Sequence, residues 1–375
     1  MGSSEGWSGA VSRHTTVDEW ADPAAGAADE RHPGRPVPDG AAFAYPMVRA
    51  AVEEALRAGA SRGATPSIFA DFGPGAGDRS LAGLKVAVQS WQRRLNAAPL
   101  LVAHSDTPGS DFATLFDNLD RSGDSYLAGG NGSVYPLVAG RSPFQRAFPA
   151  RSLAFGWTAS SLHRVSSAPA PIPDHFFVHL SADEAARAAY RDRSAQDWRA
   201  FLDHRCAEMA PGCGIVVVDG VRGDDGMIGC ERLFGCLAQA IAQARADGML
   251  TTAETVAAGY PAWFRSLPEL GEPFSPAFAG SAGGTLEWVE TRTAVLADPF
   301  ADLLAAGRFH DYADNQVRVL RSLLEPHVGE VPSSRHRRDA AWAVVWADTR
   351  DRIARNAHAV APVYRMAAIR LRKKG

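Results

Sequence analysis

Apolar residues recur at helical spacing over residues 47–56, where Met47, Val48, Ala51, Val52, Ala55 and Leu56 share one face and Gly59 is placed to end the helix. The pattern then changes. Residues 68–70 form a short apolar run that reads as a strand, closed by Asp71 and a turn containing Gly73, Gly75 and Gly77. A helix is expected over 80–95, with Leu81, Leu84, Val88, Trp91 and Leu95 on one side, and a second strand over 100–106 ends in Asp106 before Pro108 and Gly109. Residues 152–157 read as another buried strand. A helix over 195–209 stops at Pro211 and Gly212, and the apolar run 214–219 follows as a strand; a helix over 231–247 ends at Gly248. The remainder mixes helical and irregular stretches, with late strands expected at 285–295 and 363–371. Helices alternating with strands that are apolar on both faces predict an α/β fold, a doubly wound sheet of about seven strands.

A chain of 375 residues exceeds the usual single domain, so one large α/β domain with an added lobe is expected. Residues 1–40, rich in Gly, Ala, Ser, Asp and Pro without an apolar period, read as an irregular arm that either stays loose or orders over the active site. Residues 41–225 read as a Rossmann-like core, 226–345 as a mostly helical cap lobe, and 346–375 as a helix and strand returning to the core sheet. The final basic run from Arg370 reads as a solvated terminus. A net charge of −3 gives no electrostatic case for nucleic acid or an anionic membrane. No apolar run is long enough to span a bilayer and residues 1–20 lack the order of a signal peptide, so a cytoplasmic protein is expected. Cys206, Cys213, Cys230 and Cys236 form no Cys-x-x-Cys pair, and no paired-histidine motif occurs, so no metal is expected.

The Asp-x-Gly-x-Gly-x-Gly run from Asp71 to Gly77 carries the first chemical signal. A strand turning sharply into a helix beside a bulky ligand leaves no room for Cβ atoms, which favours glycine. Dinucleotide folds use Gly-x-Gly-x-x-Gly around a pyrophosphate, whereas here the third glycine comes one residue early and a carboxylate precedes the turn. A carboxylate there suits the cationic amino acid end of S-adenosylmethionine, the cofactor of class I methyltransferases. Ligands of doubly wound folds sit at the carboxyl ends of strands, so Asp106, closing the next strand, is the candidate for the ribose hydroxyls.

Several stretches in order resemble the SABATH family of S-adenosylmethionine-dependent carboxyl methyltransferases, over roughly residues 45–373. The block from Asp71 to Arg79 resembles the family's Asp-Leu-Gly-Cys-Ser-Ser-Gly-Pro-Asn, and that from Ser105 to Phe112 its Asn-Asp-Leu-Pro-Gly-Asn-Asp-Phe. Arg141 to Pro149 is similar to its Gly-Ser-Phe-Tyr-Gly-Arg-Leu-Phe-Pro, Thr158 to Pro169 to its Ser-Ser-Tyr-Ser-Leu-x-Trp segment, and Phe201, Leu202, Arg205, Glu208 and Gly212 to a later block. The resemblance implies a class I methyltransferase fold with a helical cap, a homodimer, and roles for particular residues. Asp71 and Gly73, with Gly75 and Gly77 in the same turn, would line the methionine end of S-adenosylmethionine, Asp106 the ribose, and Ser142 and Pro143 the adenine. Ser160 stands where the family has a tyrosine, and Arg164 where it has the tryptophan that holds the substrate carboxylate; Phe234 matches an aromatic wall residue. The family's early Tyr-x-x-Asn-Ser-x-x-Gln signature is echoed only by Trp7 and Ser12.

The substrate-side candidates are therefore Trp157, Ser160, His163, Arg164 and Phe234. Trp157 reads by its pattern more as a core residue than as a substrate wall. An ionised carboxylate, with a reference pKa near 4, needs no general base to attack a sulfonium methyl group, so positioning suffices and no catalytic acid or base is assigned. The resemblance implies methyl ester formation on a small acid of specialised metabolism. The divergence at Ser160 and Arg164 leaves two alternatives: a hydroxyl, nitrogen or carbon acceptor on an acidic or phosphorylated metabolite, with His163 as base, or a silent S-adenosylmethionine-binding partner.

Overall fold

The computed structural model describes residues 14–17, 40–60, 66–95, 98–128, 132–275, 285–328, 332 and 334–375. Its strands are β1 (His14–Val17), β2 (Ser67–Phe72), β3 (Leu100–Asp106), β4 (Val134–Gly140), β5 (Leu153–Ala159), β6 (Met209–Gly220), β7 (Leu286–Leu296) and β8 (Tyr364–Lys373). They form one eight-stranded sheet in the order β1-β7-β8-β6-β5-β2-β3-β4. Strands β2 to β6 run parallel to one another, and β8 is antiparallel to both β6 and β7. The chain leaves β2 toward the β4 edge and returns to pair β5 with β2, which puts the topological switch, where such folds bind ligands, between those two strands.

Helix α1 (Tyr45–Arg57) and helix α2 (Leu81–Gln92) cover one face of the sheet, in a core that includes Met47, Val48, Leu84, Trp91, Phe69 and Phe155. Helix α3 (Phe112–Arg121) joins them, its N-terminus capped by Asp111, whose side chain accepts from the Thr114 N–H. The long α4 (Glu184–Glu208) covers the other face with Trp198, Phe201 and Leu202. It starts well before the expected residue 195 because Asp183 caps it there, accepting from the Ala186 N–H. Pro211 and Gly212, expected to form a turn after this helix, lie inside β6 instead. The register against β5 shifts there and Gly212 has φ of +76°, a bulge that lets the helix pass straight into the strand.

The cap is a separate helical cluster. Helices α5 (Glu231–Ala246), α6 (Thr252–Ala257), α7 (Leu267–Gly271), α8 (Ala301–Ala305), α9 (Phe309–Val328), α10 (Arg335–Arg355) and α11 (Ala357–Val360) complete the fold. Phe234, Leu237, Tyr312, Leu320, Val345, Ile353 and Val360 share one buried core drawn from α5, α9, α10 and α11. The lobe thus continues past residue 345, which falls within α10, and it is interrupted by β7, a strand of the main sheet. Two other expectations are corrected. Within the arm over 1–40, residues 14–17 form β1 along the β7 edge, while Trp7 and Ser12 lie outside the described residues. The basic C-terminal run is structured: Arg370 is buried in β8 and pairs with Glu54 at 2.7 Å, and Arg372 with Glu287 at 2.7 Å.

Candidate active site

At the end of β2 the chain needs three left-handed glycines in close succession, Gly73 (φ +72°), Gly75 (+55°) and Gly77 (+93°). Their surroundings differ. A Cβ on Gly73 would stand 2.6 Å from Ser161, and one on Gly77 2.8 Å from Leu115, whereas at Gly75 that side is open space. The turn is therefore pressed onto its frame at both ends and open in the middle. Gly73 N–H donates to the Ser105 carbonyl at 2.8 Å, and Gly75 N–H to Asp106 Oδ2 at 3.1 Å, which draws the end of β3 against the turn. Asp106 Oδ1 accepts from the Thr107 N–H at 2.7 Å.

Asp71 is fully buried beneath the turn. Its Oδ2 accepts from the Ser80 hydroxyl and from His104 Nδ1, the latter at 2.8 Å, while Oδ1 has no partner among the described residues. A buried carboxylate oxygen without a donor is costly, and in a ligand site it marks where a donor is due.

Ser142 and Pro143 follow β4, and Pro143 is tucked beside Gly73. Their loop is braced from below by the last turn of α4. Arg205 and Glu208, both wholly buried, pair at 2.7 Å. Arg205 donates to the carbonyls of Pro143 at 2.7 Å and Gln145 at 2.9 Å, and Glu208 Oε1 accepts from the N–H groups of Ala147 at 2.7 Å and Phe148 at 3.0 Å. The guanidinium also lies 4.0 Å over the Phe72 ring. Burial lowers the Arg205 pKa to about 10, opposed by Glu208, so the cation persists at neutral pH.

The other wall begins at Ser160, held at φ +54°, a strained conformation for a residue with a Cβ. Ser161 Oγ donates to the Phe72 carbonyl at 3.1 Å, tying this wall to β2. His163 is buried, with Nδ1 2.7 Å from Asp219 Oδ1 and Nε2 3.1 Å from the Tyr260 hydroxyl, its ring stacked on Phe264 at 4.7 Å. Asp219 can only accept, so Nδ1 carries the proton and Tyr260 donates to Nε2. Arg164 is exposed, its backbone bridged to Ala262. Arg79 is half-buried just before α2. Burial raises the Tyr260 pKa and the charges of Arg164 and Arg79 lower it, so both cations bear on one hydroxyl. Among the described residues neither arginine has an ion-pair partner within 4.0 Å.

Two substrate-side expectations are corrected. Trp157 is fully buried beneath Gly83, where a Cβ would stand 2.3 Å from its ring, and so belongs to the core under α2. Phe234 is buried inside the cap, stacked on Phe177 at 4.0 Å. Conversely, His104, Tyr126, Arg79, Asp219 and Tyr260 enter the site without having been singled out in the sequence. Only Asp219, at the end of an apolar strand, carried a signal that could have found it.

A family model described as SAM dependent carboxyl methyltransferase matches residues 41–274. The chain belongs to this family. An indole-3-acetate O-methyltransferase of Oryza sativa subsp. japonica is 29% identical over 74% of the chain and 76% of its own length. A probable 7-methylxanthine methyltransferase of Camellia ptilophylla is 27% identical over 53% of the chain, and the chain spans 59% of that relative's length. Its match to the indole-3-acetate O-methyltransferase of Arabidopsis thaliana, at 30% identity, spans 45% of that protein. Among solved structures, a loganic acid methyltransferase with SAH superposes with a TM-score of 0.70 at 17% identity, covering 88% of this chain and 92% of that one, which shows a shared fold. S-adenosylmethionine is accordingly the cofactor of this family member. The residues present fit it: an open glycine turn, a buried carboxylate with an unbonded oxygen, and Asp106 closing the adjacent strand.

Proposed function

We propose that this protein methylates a carboxylate oxygen of a small organic acid. The observation that carries the reading is the match of residues 41–274 to the carboxyl methyltransferase family, and the charges of Arg164 and Arg79, both felt at the Tyr260 hydroxyl, add a cationic environment on the acceptor side. Such groups hold an acidic acceptor by charge-assisted hydrogen bonds, each contributing about 1.5–3 kcal/mol. S-adenosylmethionine supplies an electrophilic methyl group on a sulfonium. Asp71 would take the amino group of its methionine end, Asp106 the ribose hydroxyls, and the loop of Ser142 and Pro143 the adenine. Arg164 and Arg79 would orient the acid, while Ser160, by its forced backbone, holds the wall that separates acceptor from β2. No proton has to leave an ionised acid, so no base is needed.

A hydroxyl or nitrogen acceptor is the second reading, favoured by the buried His163 and Asp219 pair, which has the form of an oriented base. The experiment that separates them supplies labelled S-adenosylmethionine and a panel of small acids, phenols and azoles to the purified protein. A base-labile labelled ester supports the first reading; a base-stable product overturns it in favour of the second. Cofactor binding with no transfer to any acceptor would favour a silent partner. The reading extends to a homodimer, supported by the family resemblance. Light scattering checks the dimer, and a monomer would remove it.

A further inference from the structure

The register of the two central strands sets Asp71 of β2 directly opposite His104 of β3. Both are fully buried, and no motif of the sequence points to His104. Its two ring nitrogens are both engaged, Nδ1 with Asp71 Oδ2 at 2.8 Å and Nε2 with the Tyr126 hydroxyl at 2.9 Å, and the two rings stack at 5.9 Å. Burial, and then the Asp71 charge, raise the Tyr126 pKa, so its hydroxyl stays protonated and donates to Nε2. The proton on Nδ1 is thereby directed to Asp71. With Ser80 donating to the same oxygen, Oδ2 has two donors and the carboxylate cannot rotate without breaking both. Oδ1 remains unbonded among the described residues.

We propose that His104 is a positioning residue for cofactor binding: braced by Tyr126, it fixes the Asp71 carboxylate so that Oδ1 is kept for the ammonium group of S-adenosylmethionine. The inference rests on the cofactor assignment and is independent of which acceptor is methylated. Without His104 the carboxylate would lose a charge-assisted donor and be held by the Ser80 hydroxyl alone, so Oδ1 would be less firmly kept for the ligand. Oδ1 is closed off from solvent, so the glycine turn has to open for the cofactor to reach it, and the open side of Gly75 leaves room for that movement.

The test compares calorimetric binding of S-adenosylhomocysteine, which has the amino acid end, with that of 5′-methylthioadenosine, which lacks it. The His104→Leu variant should bind the first about tenfold or more weakly, the loss expected for one hydrogen bond to a charged group, and the second within about twofold of the parent protein. His104→Gln, which retains a donor, should recover most of the loss. Equal weakening toward both ligands, or none toward S-adenosylhomocysteine, overturns the proposal. Should His104→Leu fail to fold, Tyr126→Phe removes only the brace: a selective loss toward S-adenosylhomocysteine supports the proposal, and unchanged binding overturns it.

Discussion

Two Asp–His–Tyr chains are built into this fold, one on each side of the switch point between β2 and β5. In the first, Asp71, His104 and Tyr126 are linked at 2.8 and 2.9 Å; in the second, Asp219, His163 and Tyr260 at 2.7 and 3.1 Å. The chemistry is the same and the framework is different. Asp71 and His104 sit on paired strands, so the sheet register holds them. Asp219 ends β6, His163 follows β5, and Tyr260 comes from the segment after α6, so the second chain stitches the cap to the sheet. Asp71 keeps a buried oxygen, Oδ1, without a partner among the described residues, whereas Asp219 gathers His163 and the Gly220 N–H, the latter at 2.9 Å, on one oxygen, and its other oxygen is not an orphaned buried atom. A rigid chain with a reserved acceptor suits a cofactor that is the same in every turnover. A seam between lobes suits the side that has to fit one particular acceptor.

The comparison breaks most clearly if both aspartates are removed in turn. Asp71→Ala is expected to weaken S-adenosylhomocysteine binding by about 100-fold or more, since it strips the reserved acceptor and leaves a buried imidazole unpaired. Asp219→Ala should leave that affinity within about twofold and lower kcat/KM by about tenfold, the loss expected for one charged hydrogen bond. Calorimetry and turnover assays read the two effects. Equal loss of cofactor affinity in both variants would mean that the two chains serve one site and are not divided as argued.

Next in size is Gly83→Ala. Its Cβ would meet the Trp157 ring at 2.3 Å, and a fully buried indole between sheet and helix has nowhere to go, so a loss of about 1–3 kcal/mol in unfolding free energy is expected. Denaturant melts check it. Full stability would show that the ring can move, and would return Trp157 to the acceptor wall. On the opposite wall, Arg164→Gln should raise KM for an acidic acceptor by about tenfold with cofactor affinity unchanged, the usual loss for one charged hydrogen bond. An unchanged KM would leave Arg164 a solvated residue and remove half of the cationic environment on the acceptor side.

What the sequence disclosed follows from the same division. Strands β2, β3, β5 and β6 are buried on both faces and stand out as apolar runs, and the turn after β2 betrays itself by its glycines. Strand β4 does not, because it is the sheet edge, with Tyr135, Leu137 and Val138 exposed and Pro136 within it. Burial on both faces also hid the side to which Trp157 points, since such a strand has no polar alternation to distinguish one face from the other. The partners of each aspartate are 33 and 56 residues away, and the tyrosines join through folding alone. Local pattern could find the carboxylates at the strand ends, and the family resemblance reached His163, whereas His104 required the register and both tyrosines the folded contact.

The smallest expected effect concerns acid. His179 packs on Trp263 at 4.4 Å beside the second chain, and its Nε2 accepts the Phe264 N–H at 2.7 Å. Burial, reinforced by the charges of Arg222 and Arg187, lowers its pKa from 6.5 to about 3. Between those values the unfolded chain binds a proton that the folded protein refuses, so stability is complete above pH 6.5 and falls as the pH drops toward 3. From pH 6.5 to 5.5 this one group is expected to remove about 1 kcal/mol. His179→Gln, which can still accept from Phe264, should flatten that part of the pH–stability curve. Hydrogen exchange at pH 5.5 should rise first around residues 175–181 and 260–266, next to the adjustable chain, while β2 and β3 stay protected. If β2 and β3 exchange as early, the rigidity assigned to the first chain is wrong.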